Sequence, residues 1–178
     1  MRVISGKYKG KNLIGFDIDG TRPTMDRVKE SLFGIIQNYV KGSIVLDLFA
    51  GSGSLGIEAL SNGASSCYFF DNNMELVNII KKNTKDISGV HVMKSDYKNS
   101  LELLKNSNIK FDIIFLDPPY KLNLINDCLN KIYEYNLLNK NGIIVCEYEK
   151  ENIETDKFEL FKDKKYGSKN IKIYKCKI

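Results

Sequence analysis

An alternation constrains this fold more than any other feature. From residue 43 onward, short apolar runs rich in Val, Ile and Phe alternate with longer runs whose apolar residues recur at helical spacing. SIVLDLF (43–49) reads as a strand that ends in a Gly-rich turn, a helix fits 54–63, and CYFFD (67–71) is a second strand. Within 73–87, Met74, Val77 and Ile80 fall on one helical face, with Leu76 and Ile79 beside them. Asn73 stands where an N-cap is needed. HVMKSD (91–96), a helix over 97–106, FDIIFLD (111–117), a helix over 122–135 and GIIVCEY (142–148) continue the pattern. FELFKDKKY (158–166) and KIYKCKI (172–178) are joined by GSKN, too short for a helix, and so read as an antiparallel hairpin. The class expected is α/β: a doubly wound, mostly parallel seven-stranded sheet with ligands at the carboxyl ends of its strands.

The first 42 residues break the pattern. In GKYKGK (6–11), Lys7, Lys9 and Lys11 would share one face of a strand, because side chains alternate with period two. Such a basic β-ribbon suits a row of phosphates, and it equally suits an edge strand protected by lysines. TRPTMDRVKESLFGII (21–36) reads as a loop holding Pro23 that leads into an amphipathic helix, with Val28, Leu32, Ile35 and Ile36 on the buried side. The expected organisation is a single domain over 1–178, with 1–42 as an N-terminal extension and helix that could contact a polyanion and 43–178 as the core.

Composition excludes several classes. A chain of 178 residues with 43% hydrophobic and 28% charged residues is an ordinary soluble globular one. Its longest apolar runs fall far short of a membrane span, and no apolar segment follows the N-terminal basic residues as in a signal peptide. The four cysteines are scattered without a CxxC and there is one histidine, so neither a disulfide framework nor a metal site is expected, and the compartment expected is the cytoplasm. The net charge of +5 is uneven: +4 over 1–42, −2 over 43–120 and +3 over 121–178. Basic ends around a mildly acidic middle suit a polyanion held at the ends while chemistry occurs between them.

The chemistry is carried by strand ends. In DLFAGSGSLG (47–56), Gly51, Gly53 and Gly56 satisfy GxGxxG, which serves NAD, FAD or S-adenosylmethionine alike. Asp71, 20 residues after Gly51, suits a ribose hydroxyl in all three cases. Asp47 discriminates. A carboxylate at the first strand end would repel a pyrophosphate and would suit the sulfonium and ammonium of S-adenosylmethionine. Ser95-Asp96-Tyr97 offers an acceptor for an adenine amino group with an aromatic ring beside it. Phe49 and Asn72 complete the candidate cofactor set.

The fourth strand ends in Asp117-Pro118-Pro119-Tyr120, which resembles the D/N-P-P-Y/F motif of methyltransferases that act on exocyclic or amide nitrogens. An exocyclic amine is a poor nucleophile because its lone pair is delocalised into the ring. Hydrogen bonds from its N–H groups to Asp117 and the Pro118 carbonyl would localise that pair. Pro119 helps to fix the backbone, and Tyr120 offers a face for an unstacked base.

With these residues in place, the chain closely resembles the RsmD family, bacterial methyltransferases that modify the N2 of one guanine in small-subunit (16S) ribosomal RNA. The likeness runs end to end: RVISGKYKGKNL (2–13), RPTMDRVKESLF (22–33), DLFAGSGSLGIEALS (47–61), the DPPY corner and YGSKNIKIYK (166–175). The resemblance implies a Rossmann-like class I methyltransferase with a reversed last strand, using S-adenosyl-L-methionine. It also implies a monomer acting on 16S rRNA in an assembled or assembling subunit. Arg22, Thr24 and Arg27 become candidates for RNA or substrate contacts beside Lys7, Lys9 and Lys11. Thr24 and Pro23 could also shape a loop over the site, and Arg27 could pair with Glu30 on its helix. Competing readings are a nucleic-acid adenine-N6 methyltransferase, a non-catalytic RNA-binding assembly factor on the same scaffold, and, disfavoured by Asp47, a nicotinamide-dependent oxidoreductase.

Overall fold

The computed structural model describes residues 1–15 and 22–177, with side chains of the second segment described from Met25 onward. The first half contains α1 (Arg22–Val40), β1 (Ile44–Asp47), α2 (Ser54–Ser61), β2 (Ser66–Asp71), α3 (Met74–Asn83) and β3 (Val90–Lys94). The second half contains α4 (Tyr97–Lys105), β4 (Phe111–Leu116), α5 (Ile125–Glu134), β5 (Leu138–Tyr148), β6 (Phe158–Tyr166) and β7 (Lys169–Cys176).

Among the described residues the strands form one seven-stranded sheet in the order β3-β2-β1-β4-β5-β7-β6. All pairings from β3 to β5 are parallel, while β7 runs antiparallel to both β5 and β6. The chain winds outward from β1 to β3, then returns to lay β4 on the other side of β1. That reversal opens a crevice at the carboxyl ends of β1 and β4.

Strand residues alternate between two cores. Val45, Ile113, Phe115, Ile143 and Val145 face a cluster built with Leu32, Phe33 and Ile36 of α1, Ile57 of α2 and Ile80 of α3. Leu46, Ile114, Leu116, Ile144 and Cys146 face Leu101 of α4 and Ile125, Leu129 and Ile132 of α5. The rings of Phe69, Phe111 and Phe115 are fully buried, each contributing about 1.5–3 kcal/mol of transfer free energy. Phe111 shares a core with Ile114 rather than Ile113 because the β4–β5 register shifts between Phe111 and Ile113. Asn73 caps α3 as expected, its side chain accepting from the N–H groups of Glu75 and Leu76.

Three expectations are corrected. Helix α1 starts at Arg22, so Pro23 lies in its first turn, where a missing N–H disrupts nothing, and not in a preceding loop. Strand β7 starts at Lys169, so Tyr166 pairs with Lys169 and the hairpin loop shrinks to Gly167-Ser168, with Gly167 at φ +62°. The N-terminal ribbon is reduced to an antiparallel bridge between Arg2 and Asn12, with Val3 N–H bonded to the Lys11 carbonyl. Residues 7–10 form turns at its tip. Period two holds only in extended chain, so Lys7, Lys9 and Lys11 do not form a one-faced stripe there.

The N-terminal segment is clamped to the core by buried polar side chains. Glu58 of α2 accepts from the backbone N–H groups of Ile4 and Ser5 and from the Ser5 hydroxyl. Its Oε1 lies 3.2 Å from the Lys29 ammonium of α1, and both side chains are buried. Lys29 also donates to the Arg2 carbonyl and the Ser54 hydroxyl. Asn83 of α3 holds the Ile14 N–H and carbonyl and donates to the Ser52 carbonyl. The segment is thereby fixed beside the Gly-rich turn. None of the described helices is long and apolar enough to cross a membrane.

Candidate active site

After β1 the chain turns sharply through Gly51 and Gly53 into α2. Gly53 stands at φ +86°, a left-handed conformation that disfavours side chains. Gly56 is glycine for another reason. A Cβ there would lie 2.4 Å from the Phe69 ring and 2.6 Å from Cys67 Sγ, so α2 can lie against β2 only without one. Asp71, at the end of β2, ties the turn to the sheet: Gly51 N–H donates to its Oδ2 at 2.9 Å and Asn73 N–H to its Oδ1 at 3.0 Å.

A cavity of about 580 Å³ opens where the ends of β1, β2, β3 and β4 meet. Asp71, Asn72 and Asp96 provide its polar wall, and Phe49, Tyr97 and Tyr120 its aromatic one. The Phe49 and Tyr97 rings lie 5.7 Å apart, tilted by 37°. Tyr97 is held by its hydroxyl, which donates to Asp127 at 2.7 Å; burial and this bond keep the phenol protonated, with its pKa raised. Asp96 also caps α4, accepting from Asn99 N–H at 2.8 Å.

A second cavity of about 270 Å³ adjoins the first, sharing Phe49, Gly51 and Asp117 with it. Helix α1 roofs it through Met25, Val28 and Leu32, and Asp47, Glu147 and Lys169 line it. Asp47 is 1% exposed and accepts from Gly56 N–H at 3.2 Å. Burial pushes its pKa up to about 7, opposed by that N–H and assisted by the charge of Asp71. Asp117 is pushed well above the carboxylate range, first by burial and then by Glu147. Lys169 donates to Glu147 Oε1 at 3.0 Å. Burial pulls the ammonium pKa down, but Glu147 outweighs it and the net shift is upward. The Tyr120 hydroxyl approaches the same oxygen at 3.5 Å, at the limit of a hydrogen bond.

The structure thus brings Phe49, Gly51, Asp71, Asn72, Asp96, Tyr97 and Asp117–Tyr120 to one cavity, and places Asp47 in the adjoining one. Gly53 lies behind the turn, packed toward Ile57, Phe69 and Ile80. Lys7 and Lys9 are exposed and Lys11 half-buried, outside both cavities. Arg27 is exposed on α1, and no Arg27–Glu30 ion pair forms among the described residues. The side chains of Arg22 and Thr24 lie outside the described residues.

Glu147 and Lys169 were not anticipated from the sequence. The available signal was a lone acid closing the apolar run GIIVCEY. Lys169 carried none until the hairpin register was known.

A family described as conserved hypothetical protein 95 matches residues 1–175. The chain is 36% identical over 179 residues to ribosomal RNA small subunit methyltransferase D of Haemophilus influenzae, covering 98% of this chain and 93% of the relative. The chain belongs to the RsmD family. Its likeness to YlbH of Bacillus subtilis is 40% identity over 181 residues, 98% of each chain. The solved Escherichia coli protein yhhF superimposes with a TM-score of 0.85 at 28% identity, covering 99% of this chain and 98% of that one. The likeness to yhhF therefore spans the whole fold and not the Gly-rich turn and DPPY corner alone.

Proposed function

We propose that this chain is an S-adenosylmethionine-dependent methyltransferase acting on the exocyclic N2 of a guanine in small-subunit ribosomal RNA. The observation that carries this reading is the shared wall: Asp117 of the DPPY corner and Phe49 and Gly51 of the Gly-rich turn border both cavities. One compartment can hold an adenosine while the other admits an amine beside it. The name of the Haemophilus relative supports ribosomal RNA as the substrate.

The residues fit this cofactor. Asp71 and Asn72 would hold its ribose, while Asp96, Phe49 and Tyr97 would surround its adenine. The buried Asp47 has one backbone donor and a pKa near 7, so a cation beside it gains a carboxylate that water does not screen. When bound, S-adenosylmethionine supplies a methyl group on a positively charged sulfur.

The chain's own contribution is orientation and dryness. Asp117 and the Pro118 carbonyl accept from the amine N–H groups, which localises its lone pair and points it toward the cofactor compartment. Tyr120 supports the base. Positioning of this kind provides much of the rate, since the methylated ammonium sheds its proton readily. Lys7, Lys9, Lys11, Arg22, Thr24 and Arg27 are proposed to meet the RNA within one domain spanning 1–178, Lys7 at a distance from the cleft because its turn packs on Ser61 at the far end of α2. The enzyme acts as a cytoplasmic monomer on assembled or assembling subunits.

Calorimetry with S-adenosylmethionine, S-adenosylhomocysteine and NAD tests the cofactor. Binding of both S-adenosyl ligands without NAD is expected, and NAD binding alone would overturn the proposal.

A further inference from the structure

We infer that Glu147 and Lys169 read the Watson–Crick edge of the target guanine, Glu147 accepting from N1–H and Lys169 donating to O6. The inference rests on the guanine-N2 reading above and explains how the site would tell that base from others bearing an exocyclic amine.

Topology provides the arrangement. Strands β4, β5 and β7 are adjacent in the sheet. Asp117 follows the carboxyl end of β4, and Glu147 lies near the carboxyl end of the parallel β5. Because β7 is reversed, its first residue, Lys169, reaches the same rim. Two acceptors and a donor therefore stand in a row, and all three border the smaller cavity.

Guanine presents the complementary row: N2–H donor, N1–H donor, O6 acceptor. With N2 at Asp117, the next group along the edge meets Glu147 and the third meets Lys169. Adenine, presenting its amine to Asp117, would turn the N1 lone pair toward the Glu147 carboxylate, and cytosine would do the same with N3. Both arrangements set acceptor against acceptor in a partly dry site, leaving a buried polar group unpaired.

The pair is held ready for this task. The Glu147 side chain is 9% exposed, its Oε1 is engaged by Lys169 at 3.0 Å, and its carboxylate lies within hydrogen-bonding reach of Asp117. The Lys169 side chain remains 32% exposed, so its ammonium keeps donors for a ligand. The ion pair fixes both groups at the edge of the smaller cavity, beside Asp117.

The test uses subunits reconstituted with rRNA in which the methylated guanine, once mapped, is replaced by 2-aminopurine or 2,6-diaminopurine. Both analogues keep the 2-amine, lack N1–H and lack O6. Wild-type kcat/KM is expected to fall on the order of 10²-fold or more for each. Glu147→Gln, whose amide can donate to N1, should narrow the guanine preference for both analogues, and Lys169→Met should narrow it for 2-aminopurine. S-adenosylmethionine binding to each variant reports that the site is folded. Equal wild-type rates on guanine and 2-aminopurine would overturn the inference alone, as would full discrimination by folded variants. A wild-type enzyme inert on guanine would instead remove the reading beneath it.

Discussion

Four buried or half-buried acids at neighbouring strand ends, Asp47, Asp71, Asp117 and Glu147, set the chemistry residue by residue. Asp47 illustrates how a cofactor and a proton compete. With its pKa raised from 3.8 to about 7 in the free protein, the folded state binds more protons than the unfolded state between those values. Its contribution to stability is greatest below pH 4 and declines as pH rises through 7. A bound sulfonium or ammonium favours the ionised form, so binding expels a proton. Affinity for S-adenosylmethionine should rise from pH 6 to pH 8 and then level off. In Asp47→Asn that rise should disappear, which calorimetry across the pH range would reveal. Asp117 is assigned to the amine, and Asp117→Ala is expected to abolish transfer while leaving cofactor affinity within a few-fold. Retained transfer would remove the role given to the corner.

Packing between elements explains why the N-terminal segment and α1 belong to the site. Glu58 and Lys29 are both buried, and Glu58 is also the acceptor for Ile4, Ser5 and Asn62. Removing the carboxylate strands an ammonium and two backbone donors. Glu58→Ala should cost about 3–5 kcal/mol in urea unfolding, and it should loosen the roof over the smaller cavity. The strands and helices were legible because their apolar residues keep period two or the helical period, and Asn73 was legible as a cap because an amide before a helix has one economical partner. The ribbon was misread because alternation of lysines says nothing unless the chain is extended. Glycines at 6 and 10, both at positive φ, turn it instead. Glu147 and Lys169 were missed for a different reason: their proximity depends on a β5–β7 register that no local pattern encodes.

Across the whole molecule, the reversed hairpin brings Lys169 to the carboxyl rim of the sheet, while the N-terminal turn packs on Ser61 at the far end of α2. If Lys7, Lys9 and Lys11 meet phosphates, replacing all three with Glu should weaken RNA binding. The slope of log affinity against log salt should become shallower by about 0.7–0.9 for each phosphate no longer neutralised. An unchanged slope in filter-binding titrations would leave these lysines with a solubilising role. The DPPY corner by itself is equally suited to guanine N2 and to adenine N6. Unmethylated small subunits should therefore be incubated with the protein and methyl-labelled S-adenosylmethionine, and their RNA digested to nucleosides. The label is expected in N2-methylguanosine; label in N6-methyladenosine, or RNA left unlabelled, would contradict the proposed function.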